Sequence, residues 1–291
     1  MDAVKMPVKK RSLAARLRWI VGALLVCYCV YLGAMMAFQE RLIFPREAPG
    51  PRNAAAPVPP GWEQITVTGE DGSVVPAWLN LARRREGERV GAVMFFHGNG
   101  EVIDEAAQSD LIEMYHEMGV TVMVVEYRGY GRAWVGDSAP SQRAIVADSV
   151  KFRDLLAARP EIDPQKIVYY GRSLGGGVAC AVAKERPPRA MILQSTFLSI
   201  RRIAAGMGVP GFLVRHPFRN DEVVASLDVP ILIMHGTQDD VIPFWHGQEL
   251  LRLAKHARLV TQDCHHNDFP GDFEGYRKEI EGFLREVGVG R

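Results

Sequence analysis

The sequence predicts an α/β fold, a mostly parallel twisted sheet with helices on both faces, preceded by one N-terminal transmembrane helix. Three observations predict it: a single charge-free apolar run near the N-terminus, six short apolar runs spaced along the remainder, and longer amphipathic stretches between those runs. Of the 291 residues, 47% are hydrophobic and 24% charged, too apolar a mixture for a disordered chain. Thirty-five Lys and Arg oppose 34 Asp and Glu, and a net charge of +1 offers no field to gather polyanions, so nucleic acid is not an expected partner. The four cysteines, Cys27, Cys29, Cys180 and Cys264, contain no C-x-x-C pair, which argues against both a disulfide scaffold and a structural zinc site.

The first element is WIVGALLVCYCVYLGAMMAF, Trp19 to Phe38, 20 residues without a charge. At about 1.5 Å per residue it matches a hydrocarbon core of about 30 Å. Lys5, Lys9, Lys10, Arg11, Arg16 and Arg18 precede it with one acid, Asp2, whereas Glu40, Arg41, Arg46 and Glu47 beyond it nearly cancel. The positive-inside rule then gives a basic cytoplasmic tail over residues 1–18, an anchor over 19–38, and everything after it on the non-cytoplasmic side. A cleaved signal peptide is the alternative, but its apolar region spans about 7 to 15 residues and ends in a small-x-small site, which AMMAFQE matches poorly. An excess of 27 Arg over 8 Lys suggests a GC-rich bacterial genome, which would make that side the periplasm.

Residues 39–60 read as a connector, since six prolines between 45 and 60 favour an extended chain. One folded domain is expected over 61–291. It opens with a hairpin, Ile65 to Val67 and Val74 to Leu81, about the turn Gly69-Glu70-Asp71-Gly72. AVMFF (Ala92 to Phe96), VTVMVVE (Val120 to Glu126), KIVYYG (Lys166 to Gly171), AMILQS (Ala190 to Ser195), PILIMH (Pro230 to His235) and ARLVTQD (Ala257 to Asp263) are apolar enough for strands buried on both faces. The intervening helix patterns include Ser141 to Arg159, with a Ser cap before it and Pro160 after it, and Leu174 to Arg186, Trp245 to His256 and Phe273 to Val287. Repeated strand-helix-strand units gather ligands at the carboxyl ends of the strands.

Three loops at those ends carry the residue types of an acyl-transfer site. Gly171-Arg172-Ser173-Leu174-Gly175 lies between a strand and a helix, where small glycines let the chain turn sharply and hold the Ser173 hydroxyl clear. His97-Gly98-Asn99-Gly100 ends another strand; the N–H groups of Asn99 and Leu174 are the expected oxyanion donors, while His97 reads as structural. A serine hydroxyl needs a base and a carboxylate to orient that base, and the order Ser, Asp, His suits this sheet. The residues alone leave Asp239 or Asp240 as carboxylate and His265 or His266 as base. Lesser candidates are set aside: Gly206 to Gly211 matches G-x-G-x-x-G without a preceding strand, Cys264 lacks an exposing turn, and the Asp and His residues lack metal-ligand spacing.

The stretches FFHGNG (Phe95 to Gly100), YRGYGRA (Tyr127 to Ala133), YGRSLGGG (Tyr170 to Gly177), HGTQDDVIP (His235 to Pro243) and HHND (His265 to Asp268) resemble the α/β-hydrolase superfamily. The likeness is to its membrane-anchored, single-pass branch, with lysophospholipid hydrolases, protein depalmitoylases and serine aminopeptidase-like proteins as relatives. The resemblance implies Ser173 as nucleophile, His266 as base and Asp239 as carboxylate, with no metal or organic cofactor. It departs from the family at His265, where Gly is common, and at Thr196, where Pro is common. Residues 196–229 stand where this fold inserts a short cap. The expected activity is hydrolysis of an acyl ester or thioester, small or lipid-derived; a serine peptidase or a catalytically silent membrane-anchored binding module are the alternatives.

Overall fold

A computed structural model describes residues 13–108, 111–134 and 139–291. The basic tail read at residues 1–18 falls largely outside the described residues. The chain divides into two units between Gln39 and Glu40. In the first unit, helix α1 (Leu13–Ile43, its last residues belonging to the second unit) has a most apolar stretch with a mean hydropathy of 2.2, none of it buried. Among the described residues it is the one helix long and apolar enough to cross a membrane.

The second unit is an eight-stranded sheet. Its strands are β1 (Glu63–Thr68), β2 (Val74–Asn80), β3 (Val90–Phe96), β4 (Thr121–Val125), β5 (Ile162–Arg172), β6 (Ala190–Gln194), β7 (Ile231–Gly236) and β8 (Ala257–Gln262), in the order β1-β2-β4-β3-β5-β6-β7-β8. The opening hairpin β1–β2 pairs antiparallel and joins β4 antiparallel, and every other pairing is parallel. Helices α2 (Ile103–Ala106) and α3 (Leu111–Glu117) follow β3, α4 (Gln142–Ala158) follows β4, and α5 (Leu174–Glu185) follows β5. Between β6 and β7 lie α6 (Ile200–Gly206) and α7 (Asn220–Ser226); α8 (Trp245–Leu253) and α9 (Phe273–Glu286) complete the chain.

Strand side chains alternate between two buried faces, which is why these runs are apolar throughout. Met94, Tyr169, Met191, Leu193 and Ile233 enter one core, while Val93, Val168, Tyr170, Ile192 and Leu232 enter the other. Each such side chain stabilises the fold by about 1.5–3 kcal/mol through removal from water. Helix α4 begins where its cap predicts, with the Ala144 N–H donating to Ser141 Oγ at 3.2 Å.

The register places the site. Phe96 lies opposite Gly171, so β3 and β5 deliver His97 and Arg172 to the same edge side by side. Gly236 lies opposite Gln262, so the loops after β7 and β8 leave the sheet together. The segment read as an extended connector packs on this domain instead of spanning free solvent. Phe44 is 1% exposed beside Phe218, the Arg52 N–H donates to Gly131 O at 3.0 Å, and Arg132 donates to Ala56 O at 2.7 Å. Its other backbone bonds close turns within the segment, Ala48 N–H to Pro45 O at 2.9 Å, Gly50 N–H to Arg46 O at 3.1 Å and Ala56 N–H to Asn53 O at 3.0 Å.

Candidate active site

Ser173 sits at the turn from β5 into α5 with φ 52° and ψ −116°, a conformation that costs a non-glycine residue on the order of 1–3 kcal/mol. Close packing enforces it. A Cβ on Gly171 would collide with the Gly175 carbonyl, and one on Gly175 would collide with the Phe96 carbonyl. The Ser173 N–H donates to Gln194 O at 2.9 Å, and its own carbonyl accepts the Thr196 hydroxyl at 2.7 Å. Thr196 thus fastens the elbow from the loop just beyond β6.

Ser173 Oγ lies 3.1 Å from His266 Nε2, and His266 Nδ1 lies 2.7 Å from Asp239 Oδ2. All three residues are 5–7% exposed. The hydroxyl donates to Nε2 and Nδ1–H donates to the carboxylate, an arrangement that fixes the imidazole as a proton acceptor toward Ser173. Asp239 Oδ1 accepts the N–H groups of Val241 at 3.0 Å and Ile242 at 2.7 Å. Burial works against ionisation of Asp239, but hydrogen bonds from His235, His266 and the Ile242 backbone hold its carboxyl well below the usual carboxylate range. Asp263 ties the two loops, accepting from the Thr237 hydroxyl at 3.1 Å and the Gln238 amide at 2.7 Å.

The neighbouring candidates lie elsewhere. Asp240 and His265 face each other at 3.8 Å with about half or more of each side chain exposed, so neither joins the buried chain of hydrogen bonds. Cys264 is buried, and that burial pushes its thiol upward, the opposite of what a thiolate nucleophile requires. Among the described residues, no group of three or more His, Cys, Asp or Glu is arranged to hold a metal ion.

On the oxyanion side, neither the Asn99 nor the Leu174 N–H donates to an acceptor among the described residues. His97 is fully buried, its Nε2 3.0 Å from Glu126 Oε1 and its Nδ1 2.8 Å from Gly98 O. The Tyr127 hydroxyl donates to His97 O at 2.8 Å, and the two rings stack at 4.0 Å. Burial raises the Tyr127 phenol well above its ordinary value, so it stays a neutral donor. Glu126, Tyr127, His235, Glu101 and Arg172 were not singled out as site residues from the sequence. The signal available for Tyr127 was its place in YRGYGRA, and for His235 its place in HGTQDDVIP.

A family profile described as serine aminopeptidase, S33, matches residues 87–215. An uncharacterized protein of Mycobacterium tuberculosis is 30% identical over 259 residues, covering 86% of this chain and 89% of that one. The α/β-hydrolase domain-containing protein WAV2 of Arabidopsis thaliana is 30% identical over 260 residues, 81% of each chain. Esterase 2 of Thermogutta terrifontis superposes with a TM-score of 0.62 at 21% identity, covering 80% of this chain and 97% of that one, a likeness of fold.

Proposed function

The chain belongs to the α/β-hydrolase superfamily and is a serine hydrolase-like enzyme, and from that premise we propose that it is a membrane-tethered hydrolase of acyl esters or thioesters. The observation that carries this reading is the continuous hydrogen-bonded line Ser173, His266, Asp239, at 3.1 and 2.7 Å. Ser173 Oγ attacks the acyl carbonyl carbon while His266 Nε2 takes the hydroxyl proton. The carbonyl π electrons move onto oxygen, and the N–H groups of Asn99 and Leu174 hold the oxyanion, each worth about 3–4 kcal/mol in the transition state. As the tetrahedral centre collapses, the bond to the leaving alcohol or thiol breaks and His266 returns the proton to it. Water, deprotonated by the same imidazole, then releases the acid and regenerates Ser173. No step in this scheme calls on a metal or organic cofactor.

The apolar helix α1 supports tethering, and the basic residues before Trp19 support a cytoplasmic N-terminus with the catalytic domain on the other side. A tether concentrates the enzyme beside lipid-derived esters, and the apolar, glycine-rich part of the cap, Ile203 to Val214, suits an acyl substrate. The S33 profile match favours one second reading, an aminopeptidase, because the same triad cleaves amides. Purified full-length chain should turn over p-nitrophenyl butyrate and be labelled by a fluorophosphonate, with both lost in Ser173→Ala while its melting curve is kept. Labelling of the Ala variant refutes the nucleophile; turnover of alanine p-nitroanilide in preference to the ester selects the peptidase.

A further inference from the structure

Arg172, the residue before Ser173 in the G-x-S-x-G turn, makes no hydrogen bond to Ser173, His266 or Asp239 among the described residues and joins a small polar cluster instead. Its Nη1 pairs with Glu101 Oε1, and its Nη2 lies 3.5 Å from Asn267 Oδ1, on the residue directly after His266. The other Glu101 oxygen, Oε2, accepts the Gly98 N–H at 2.7 Å, and the Glu101 N–H donates back to Gly98 O at 3.3 Å. The guanidinium therefore touches the oxyanion loop through Glu101 and the histidine loop through Asn267, while its own backbone is continuous with the nucleophile. The Arg172 and Glu101 side chains are only 18% and 27% exposed, so solvent screens this pair less than a surface ion pair.

We propose that Arg172 and Glu101 form a clamp that sets the position of the oxyanion loop relative to Ser173, and that both are positioning residues for acyl transfer. The chemistry of the loop supports this. Glu101 occupies the N–H of Gly98, while the next N–H along the chain, that of Asn99, donates to no acceptor among the described residues. Without the carboxylate, Gly98 would present a competing donor and the loop would lose the side-chain tie to β5 that Arg172 and Glu101 make. Arg172 Nη1 in turn holds the remaining Glu101 oxygen, Oε1, in a charge-assisted hydrogen bond. An oxyanion donor acts on the transition state more than on the bound substrate, so loosening the clamp should fall on kcat and leave KM largely alone.

This inference rests on the serine hydrolase reading, and the experiment separates the two. Full-length wild type, Arg172→Met, Glu101→Gln and the double variant are assayed on p-nitrophenyl butyrate and for the rate of inactivation by a fluorophosphonate, whose phosphoryl oxygen uses the same donors. Absence of turnover and labelling in the wild type defeats the hydrolase reading itself. With an active wild type, the expected result is a fall in kcat of about ten- to hundredfold for Arg172→Met, KM within about twofold, and a parallel fall in inactivation rate. The double variant should be scarcely worse than Arg172→Met alone, since the two side chains act as one unit. Unchanged kcat, a change confined to KM, or strict additivity of the two substitutions would overturn the clamp. Should Arg172→Met lose its cooperative melt, Glu101→Gln carries the same expectation alone: full activity in that variant overturns the proposal.

Discussion

His235 places its Nε2 3.4 Å from Asp239 Oδ2, the same carboxylate oxygen that receives the hydrogen bond from His266 at 2.7 Å. Both imidazoles converge on one oxygen because the other, Oδ1, is taken by the N–H groups of Val241 and Ile242. His235 is fully buried and also meets Ile242 O at 2.8 Å, so the ring braces the loop as well as the carboxylate.

That division fixes what Asp239→Asn does. The amide oxygen must stay on the two backbone N–H groups, which forces the NH2 toward His266 Nδ1. The imidazole then accepts there and presents Nε2–H to Ser173, the wrong tautomer for a base. The expected fall in kcat is about four orders of magnitude with folding retained. Steady-state kinetics on p-nitrophenyl butyrate read it, and a loss under tenfold would show that Asp239 does not orient the base.

Asp240→Asn and His265→Ala supply the contrast. Their side chains sit 3.8 Å apart at the surface, outside the buried line. Each should leave kcat/KM within about twofold and stability within about 0.5 kcal/mol. A hundredfold loss in His265→Ala would reassign the base.

Acid should weaken the fold in two stages. His246 accepts the Leu198 N–H at Nδ1 at 3.1 Å, and burial, aided by His235 and Arg202, brings it down to about 4 from its ordinary 6.5. Between about pH 6.5 and 4 the unfolded chain takes a proton there that the folded chain refuses, so stability falls as pH falls. Asp239 contributes with the usual carboxylate sign: its stabilisation is complete above the ordinary value of 3.8 and drains away as pH drops through its lower folded value. Thermal midpoints from pH 7 to 4 should decline for the wild type and decline less steeply for His246→Gln. Parallel curves would remove His246 from the account.

Asp148→Ala tests the ion pair beneath the opening hairpin. Arg128 donates to Asp148 at 2.9 and 2.6 Å, with side chains 6% and 1% exposed. Removing the carboxylate leaves a buried guanidinium paired, among the described residues, with the half-exposed Asp71 alone at 3.1 Å, and should cost about 3–5 kcal/mol in urea unfolding at pH 7. A cost under 1 kcal/mol would mean Asp71 compensates in full.

The sheet was legible because each parallel strand is a local apolar run, and Ser173 because its glycine-flanked turn is local too. The choice between His265 and His266 rested on the family resemblance instead, since adjacent residues differ only in which way the loop turns them. Arg172 and Glu101 carry no local signal for a related reason. Each reads as an ordinary surface charge until the Phe96 to Gly171 register brings positions 71 residues apart together. Proline content made residues 45–60 look detached, yet composition says nothing of the Arg52 and Ala56 backbone groups that bond to the domain.

The left-handed backbone at Ser173 sets the fold and the reaction against each other. Glycine would adopt φ 52° at far lower cost, so the residue proposed as nucleophile is the wrong one for stability at that spot. Ser173→Gly would therefore exchange the proposed nucleophile for a turn residue free of that backbone strain.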